Sequence, residues 1–202
     1  MLFRDVDAVA DFLGPNPAPT RRIIGIVGEP GAGKSTIADA LAARLAVPVL
    51  PMDGYHLPQQ TLRDLGRRER MGAPDTFDVD AFVLTLTDLR ISGAPVFAPS
   101  FDRDTEEAVA DAIVIQPEVD TVIVEGNYLL LDSGGWQRVS GLLDLVFFVD
   151  VDRDIRLLRL INRHVHFGKT PDEARSWALG PDEANARLVA ATARRADHVL
   201  RI

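Results

Sequence analysis

The sequence predicts an α/β fold, a doubly wound parallel sheet of five strands with helices on both faces. Three observations carry that reading. Short β-branched runs recur from Arg22 onward, Ala- and Leu-rich helical stretches separate them, and the runs are apolar almost throughout instead of alternating, as in strands covered on both sides. They are IIGIV (23–27), VPVLPM (47–52), TVIVE (121–125), LVFFVDV (145–151) and HVLRI (198–202).

Ahead of them, Leu2, Val6, Val9 and Leu13 fall on one helical stripe, so the first dozen residues read as an amphipathic helix. GPNPAP then breaks it, which makes 1–19 an N-terminal helix and linker. Between the second and third strands lie about seventy residues, far more than one strand-to-helix connection needs. This insertion, 54–116, is expected to carry substrate recognition. It holds an arginine-rich piece (Arg63, Arg67, Arg68, Arg70), the segment GAPDTFD, a helix over Val79 to Arg90 and the proline-punctuated APVFAPSFDRD. After the fourth strand, DVDRDIRLLRLINRHVHFGKT reads as a helix. No repeat or low-complexity tract interrupts the chain, and a single domain is expected over 1–202.

Composition narrows the classes. With 202 residues, 47% hydrophobic and 26% charged, the chain can bury one sizeable core. A formal net charge of −8 argues against a nucleic-acid partner, which requires a concentrated basic surface. The absence of cysteine excludes disulfides, thiolate metal sites and a cysteine nucleophile. The N-terminus is acidic where a secretory signal is basic, and no apolar run is long enough for a membrane span, so a soluble cytoplasmic protein is expected. Lys34 and Lys169 are the two lysines, against twenty arginines. A codon bias explains most of that imbalance, but one of the two sits in the most informative segment of the chain.

That segment is GEPGAGKS, comprising Gly28, Glu29, Pro30, Gly31, Ala32, Gly33, Lys34 and Ser35, with Thr36 opening the helical stretch after it. It matches G-x-x-x-x-G-K-[ST] and lies between a β-rich run and a helix, the setting in which this pattern binds nucleoside phosphates. The glycines let backbone N–H groups face the phosphates at a helix N-terminus. Lys34 then reaches the terminal phosphates, and the Ser35 hydroxyl offers a ligand to Mg²⁺. ATP and Mg²⁺ are the expected cofactors.

The rest of the chain bears on the fate of the bound nucleotide. A guanine-reading Asn-Lys-x-Asp string is absent. Asp53, in MDGYH after the second strand, stands beside the phosphate loop if the first two strands are sheet neighbours, and can there accept a proton from an acceptor hydroxyl. The alternative for Asp53 is a turn residue before Gly54. Glu125 ends TVIVE, the position of a magnesium-orienting acid, or is simply an acid at a strand end. Arg156, Arg159 and Arg163 share one helical face and form either a lid over the phosphates, within 152–180, or a solvated ion-paired surface. His56, His164, His166 and His198 lack metal-ligand spacing, and His56 beside Asp53 is a candidate substrate contact. A phosphotransferase acting on a small hydroxyl-bearing metabolite is the leading expectation. A regulatory ATP-binding module is the alternative.

The string of motifs from Arg22 onward resembles the phosphoribulokinase, uridine kinase and type I pantothenate kinase superfamily. The phosphate loop, MDGYH and VEGNYLLL carry the likeness; RMGAPDTFD (70–78) and APSFDRD (98–104) add to it. The resemblance implies Lys34 on phosphate, Ser35 and Glu125 on Mg²⁺, Asp53 in acceptor activation and Arg159 and Arg163 in the lid. It also implies an acceptor pocket drawing on Asp53, Tyr55, His56, Phe101, Arg103 and Tyr128, and a homodimer. Gly72 and Ala73 stand where uridine kinases have Asp-His, and Asp102-Arg103 where pantothenate kinases have Ser-His. Arg103 suits an acceptor with several hydroxyls or an anionic group. A bacterial branch associated with fructose transport is similar in length and in its EGNYLLL and FDR strings, which makes a sugar such as fructose the expected acceptor, ahead of a nucleoside or pantothenate.

Overall fold

The central strands alternate strictly between two cores. Ile23, Val27, Val122, Val124, Val146 and Phe148 face one side of the sheet, and Ile24, Ile26, Ile123, Phe147 and Val149 face the other. Because helices cover both sides, strands that must be apolar on each face read as unbroken hydrophobic runs.

In this computed structural model, which describes residues 1–15 and 20–202, the elements run β1 (Leu2–Phe3), α1 (Val6–Leu13), β2 (Arg22–Gly28), α2 (Lys34–Leu45) and β3 (Val49–Pro51). The insertion supplies α3 (Gln59–Asp64), α4 (Val79–Ile91), β4 (Val96–Asp102) and β5 (Glu107–Ile115). The chain returns through β6 (Thr121–Gly126), β7 (Leu145–Asp150), α5 (Arg153–His166), α6 (Pro171–Leu179), α7 (Pro181–Ala190) and β8 (His198–Arg201). Residues 16–19 of the GPNPAP linker lie outside the described residues.

Six parallel strands form the sheet in the order β1-β8-β7-β2-β6-β3. The five expected strands are all present, and β1 adds a short edge. The N-terminal helix is accordingly shorter than its apolar stripe suggests. It starts at Val6, where the Asp5 side chain caps it by accepting from the Ala8 N–H at 2.7 Å, while Leu2 pairs with Val199. The insertion builds a separate antiparallel hairpin from β4 and β5, neither of which was among the five expected strands. Under it, Trp136 is fully buried and packs against Phe77, Phe82 and Tyr128. Among the described residues, no helix is long and apolar enough to cross a membrane.

One topological expectation is corrected. β2 and β3 are not neighbours, because the fully buried β6 lies between them and pairs with both. A three-residue strand such as β3 suits an edge, and the central place goes to the strand with the longer apolar run. Asp53 therefore reaches the phosphate loop across the end of β6, where Glu125 also lies.

Candidate active site

The glycine-rich loop joins β2 to α2 and rests on α5. Gly31 has φ +79°, and a Cβ there would lie 2.7 Å from both the Arg156 carbonyl oxygen and Leu160 Cγ. No other residue type fits so close an approach in that conformation. Lys34 Nζ donates to the Glu29 carbonyl at 3.1 Å, curling the lysine back over the loop. Next to it, the Ser35 hydroxyl donates to Glu125 Oε1 at 3.1 Å. Glu125 is 5% exposed. Burial and, after it, the negative charge of Asp53 push its carboxyl up to about 7, against the pull of Lys34. Burial also lowers the Lys34 ammonium, opposed by Glu125 and Asp53.

Met52–Tyr55 form a single 3₁₀ turn, in which residues three apart eclipse one another. Met52 and Tyr55 both enter the core, with the Tyr55 ring 4.9 Å from Phe82, while Asp53 and His56 both line a cleft above the loop. Tyr55 thus faces away from the cleft that the resemblance would have it line. Gly54 permits the next contact: a Cβ there would sit 2.3 Å from the Pro99 carbonyl oxygen, so β4 can cross the turn directly. Past that crossing, Arg103 Nη2 meets Asp53 Oδ2 at 2.9 Å. Burial works to raise the Asp53 carboxyl, but His56, Arg103, Lys34 and Arg163 outweigh it and hold the group below the usual carboxylate range. The His56 ring packs on Phe77 and Phe101, with centroids 4.0 and 4.7 Å away, and its Nδ1 is 2.8 Å from the Asp53 carbonyl oxygen. Burial lowers the His56 imidazole.

These groups share one cleft, partly open to solvent, lined by Pro30, Lys34, Ser35, Asp53, Glu125 and Arg163 at the loop end. The three arginines expected to share one face of α5 part company there. Arg163 lines the cleft, and burial lowers its guanidinium, followed by the like charge of Arg103. Arg159 donates to the Ala32 carbonyl of the loop at 3.2 Å. Arg156 is neither lid nor solvated: it is 2% exposed, its Nε is 3.0 Å from Glu29 Oε2, and it pairs with Glu183 of α7. Tyr128, also fully buried, donates its hydroxyl to the Gly72 carbonyl and supports the cleft wall from behind.

The sequence marks Arg68, His164 and Lys169 without bringing them together, and leaves Glu106, Trp177 and Asp182 unremarked at the far end of the cleft. Arg68, Glu106, His164, Lys169, Trp177 and Asp182 line it; His164 Nε2 is 2.7 Å from Asp182 Oδ2, and Lys169 Nζ lies 4.9 Å over the Trp177 ring. Asn127 is not singled out by sequence either, although it lies inside the EGNYLLL string. Its neighbours in that string, Glu125 before it and the fully buried Tyr128 and Leu129 after it, carry the stronger signals.

A parallel sheet with a glycine-rich loop at the end of a central strand, facing an acid on each of two adjacent strand ends, defines an α/β small-molecule kinase that uses ATP. The chain belongs to the phosphoribulokinase / uridine kinase family, whose profile matches residues 23–173. The crystal structure of a "putative fructose transport system kinase" from Silicibacter sp. TM1040 superposes with a TM-score of 0.89 at 34% identity, over 96% of this chain and 98% of that one. A "putative uridine kinase" of Schizosaccharomyces pombe is 34% identical over 168 residues, 76% of this chain and 72% of its own length. The uncharacterised protein YggC of Escherichia coli K12 is 32% identical over 190 residues, 90% of this chain and 78% of its own.

Proposed function

We propose that this kinase transfers the γ-phosphate of ATP to a hydroxyl of a small polyhydroxylated acceptor, with a sugar such as D-fructose the best fit. The observation that carries the reading is the 2.9 Å pair between Asp53 and Arg103 at the loop end of the cleft. A carboxylate kept ionised there is ready to orient an acceptor hydroxyl and take its proton, and the guanidinium beside it suits further hydroxyl oxygens. The Silicibacter protein is named for a fructose transport system, which is in keeping with a sugar acceptor.

Lys34, with the loop from Gly28 to Thr36, would bind the phosphates. Arg159 and Arg163 would neutralise charge developing on the transferred group, as cationic clamps do in loose phosphoryl transition states. Ser35 and Glu125 fit Mg²⁺ as a pair of oxygen donors beside the loop. Among the described residues no cluster of three or more His, Cys, Asp or Glu is arranged to hold a metal, so the ion's remaining ligands would be phosphate oxygens and water. When bound, Mg²⁺ supplies charge neutralisation on the phosphates. On this reading 54–116 is the acceptor-binding insertion and 152–180 the segment that closes the cleft against water.

A nucleoside acceptor is the second reading. The His56, Phe77 and Phe101 rings offer a surface on which a base can stack, and the Schizosaccharomyces relative is named a uridine kinase. ADP release with D-fructose, uridine, pantothenate and glycerate separates the readings: sugar-dependent turnover above that with uridine is expected, and turnover with uridine or pantothenate alone would refute the sugar reading.

A further inference from the structure

The far end of the cleft carries a charge that the protein does not answer. Each carboxylate lining the cleft is already engaged: Asp53 with Arg103 at 2.9 Å, Asp182 with His164 at 2.7 Å, Glu106 with Arg68, and Glu125 with the Ser35 hydroxyl. Lys169 has no carboxylate within ion-pair distance among the described residues, and its ammonium stands 4.9 Å over the Trp177 ring instead. Glu173 feels that charge, but its carboxylate is exposed and accepts from the Thr170 N–H and hydroxyl at the start of α6. The lysine is held in place. A turn at Gly168, with φ +93°, brings the Lys169 N–H to the His164 carbonyl at 3.0 Å, and the indole face steadies the ammonium while leaving N–H donors for a ligand.

Asn185 supplies a second, independent sign. It is 6% exposed and lines the same cleft, yet its side-chain amide makes no hydrogen bond among the described residues. Neither its oxygen nor its nitrogen is sealed from solvent, and a Cβ on Gly72, another cleft residue, would lie 3.9 Å from the nitrogen. A polar side chain so deeply buried and unpaired is uncommon outside places that receive a ligand or water. Asn185 stands one helical turn beyond Asp182 on α7, so it shares the face that holds His164 and, through the His164 carbonyl, Lys169. From the unanswered ammonium and the unpaired amide, we infer that Lys169 and Asn185 form a specificity subsite for an anionic group, a carboxylate or a phosphate ester, carried by the acceptor away from the hydroxyl at Asp53. Lysine meets either anion as a compact point charge, and the amide adds N–H donors. The inference rests on the polyhydroxylated-acceptor reading and narrows it: sugar acids or sugar phosphates outrank the neutral parent sugar.

The test compares D-fructose, its phosphate monoesters, D-gluconate and D-glycerate as acceptors by ADP release at constant ionic strength, with KM for ATP followed alongside. In the unaltered enzyme the best anionic acceptor is expected to exceed D-fructose in kcat/KM at least about tenfold, and whether it is an ester or an acid identifies the group. Lys169→Met, which keeps an apolar stem and removes the charge, is expected to lower that preference about tenfold or more through KM for the anionic acceptor, and Asn185→Leu about three- to tenfold. A preference unmoved by Lys169→Met, or a loss that falls on KM for ATP instead, overturns the inference. D-fructose equal to every anionic acceptor overturns it too and leaves the sugar reading standing. If no compound is turned over, the acceptor reading fails separately and binding decides. With a non-hydrolysable ATP analogue and Mg²⁺ filling the phosphate loop, the same compounds are titrated against Trp177 fluorescence, Trp136 being the other tryptophan and fully buried. Saturable change with anionic compounds alone, weakened at least about tenfold in Lys169→Met, supports the inference, and an equal response to D-fructose or no response overturns it.

Discussion

Glu125→Gln separates what the site costs from what it does. The carboxyl ordinarily titrates at 4.5 and is pushed up to about 7 in the folded protein, mainly by burial. A group raised on folding binds its proton more tightly in the native state, so its stabilising effect is complete below 4.5 and is lost as pH rises toward 7. The gap between those two values corresponds to about 3 kcal/mol of stability given up by pH 8. Glutamine keeps the shape and the acceptor oxygen facing Ser35 but never ionises. Denaturant unfolding of both proteins at pH 5 and pH 8 is therefore expected to show Glu125→Gln gaining on the unaltered protein as pH rises, by up to about 3 kcal/mol at pH 8, somewhat less because Lys34 loses a compensating charge. The same variant is expected to lose at least about a hundredfold in Mg²⁺-dependent turnover. A stability difference that stays flat or shrinks between pH 5 and pH 8 would refute the claim that burial dominates the Glu125 environment.

The same geometry sets three further outcomes. Because Glu125 must shed its proton to engage Mg²⁺, the metal's apparent affinity should rise with pH through about 7 in titrations without acceptor, and affinity constant across that range would count against Glu125 as a ligand. Arg156→Ala strands Glu29 and leaves Glu183 with the exposed Arg153 alone, and should cost about 3 kcal/mol in chemical unfolding, with Arg156→Lys recovering part of it; a loss under about 1 kcal/mol would show the buried network to be unimportant. Trp136→Ala empties the core below the cleft and removes the indole donor to the Pro74 carbonyl, 3.1 Å away, for about 3–5 kcal/mol by the same measurement.

The features legible in the sequence are those whose physical cause leaves a local pattern. Apolar runs identify strands because burial on both faces leaves a one-dimensional trace, and the phosphate loop is legible because its glycines, lysine and serine are each required by backbone or ligand geometry. Strand order leaves no such trace: β6 inserts between β2 and β3 through pairings across about seventy intervening residues from β3 and about ninety from β2. Side-chain direction in short turns is equally hidden. MDGYH marks where a turn falls, but only its 3₁₀ form sends Asp53 and His56 to the cleft while Met52 and Tyr55 go to the core. Helical spacing puts three arginines on one face of α5 correctly, yet cannot tell that α7 rises against that face and buries Arg156 beneath the loop. The Asn185 amide, unpaired among the described residues, is a purely three-dimensional fact.

The central claim, transfer of the γ-phosphate to an acceptor hydroxyl oriented by Asp53, is tested most directly by following radiolabel from [γ-³²P]ATP into D-fructose with the unaltered enzyme and with Asp53→Asn. Labelled sugar phosphate is expected from the former, and a rate lower by about a hundredfold or more with ATP binding retained is expected from the latter. Transfer by Asp53→Asn at the unaltered enzyme's rate would contradict the account.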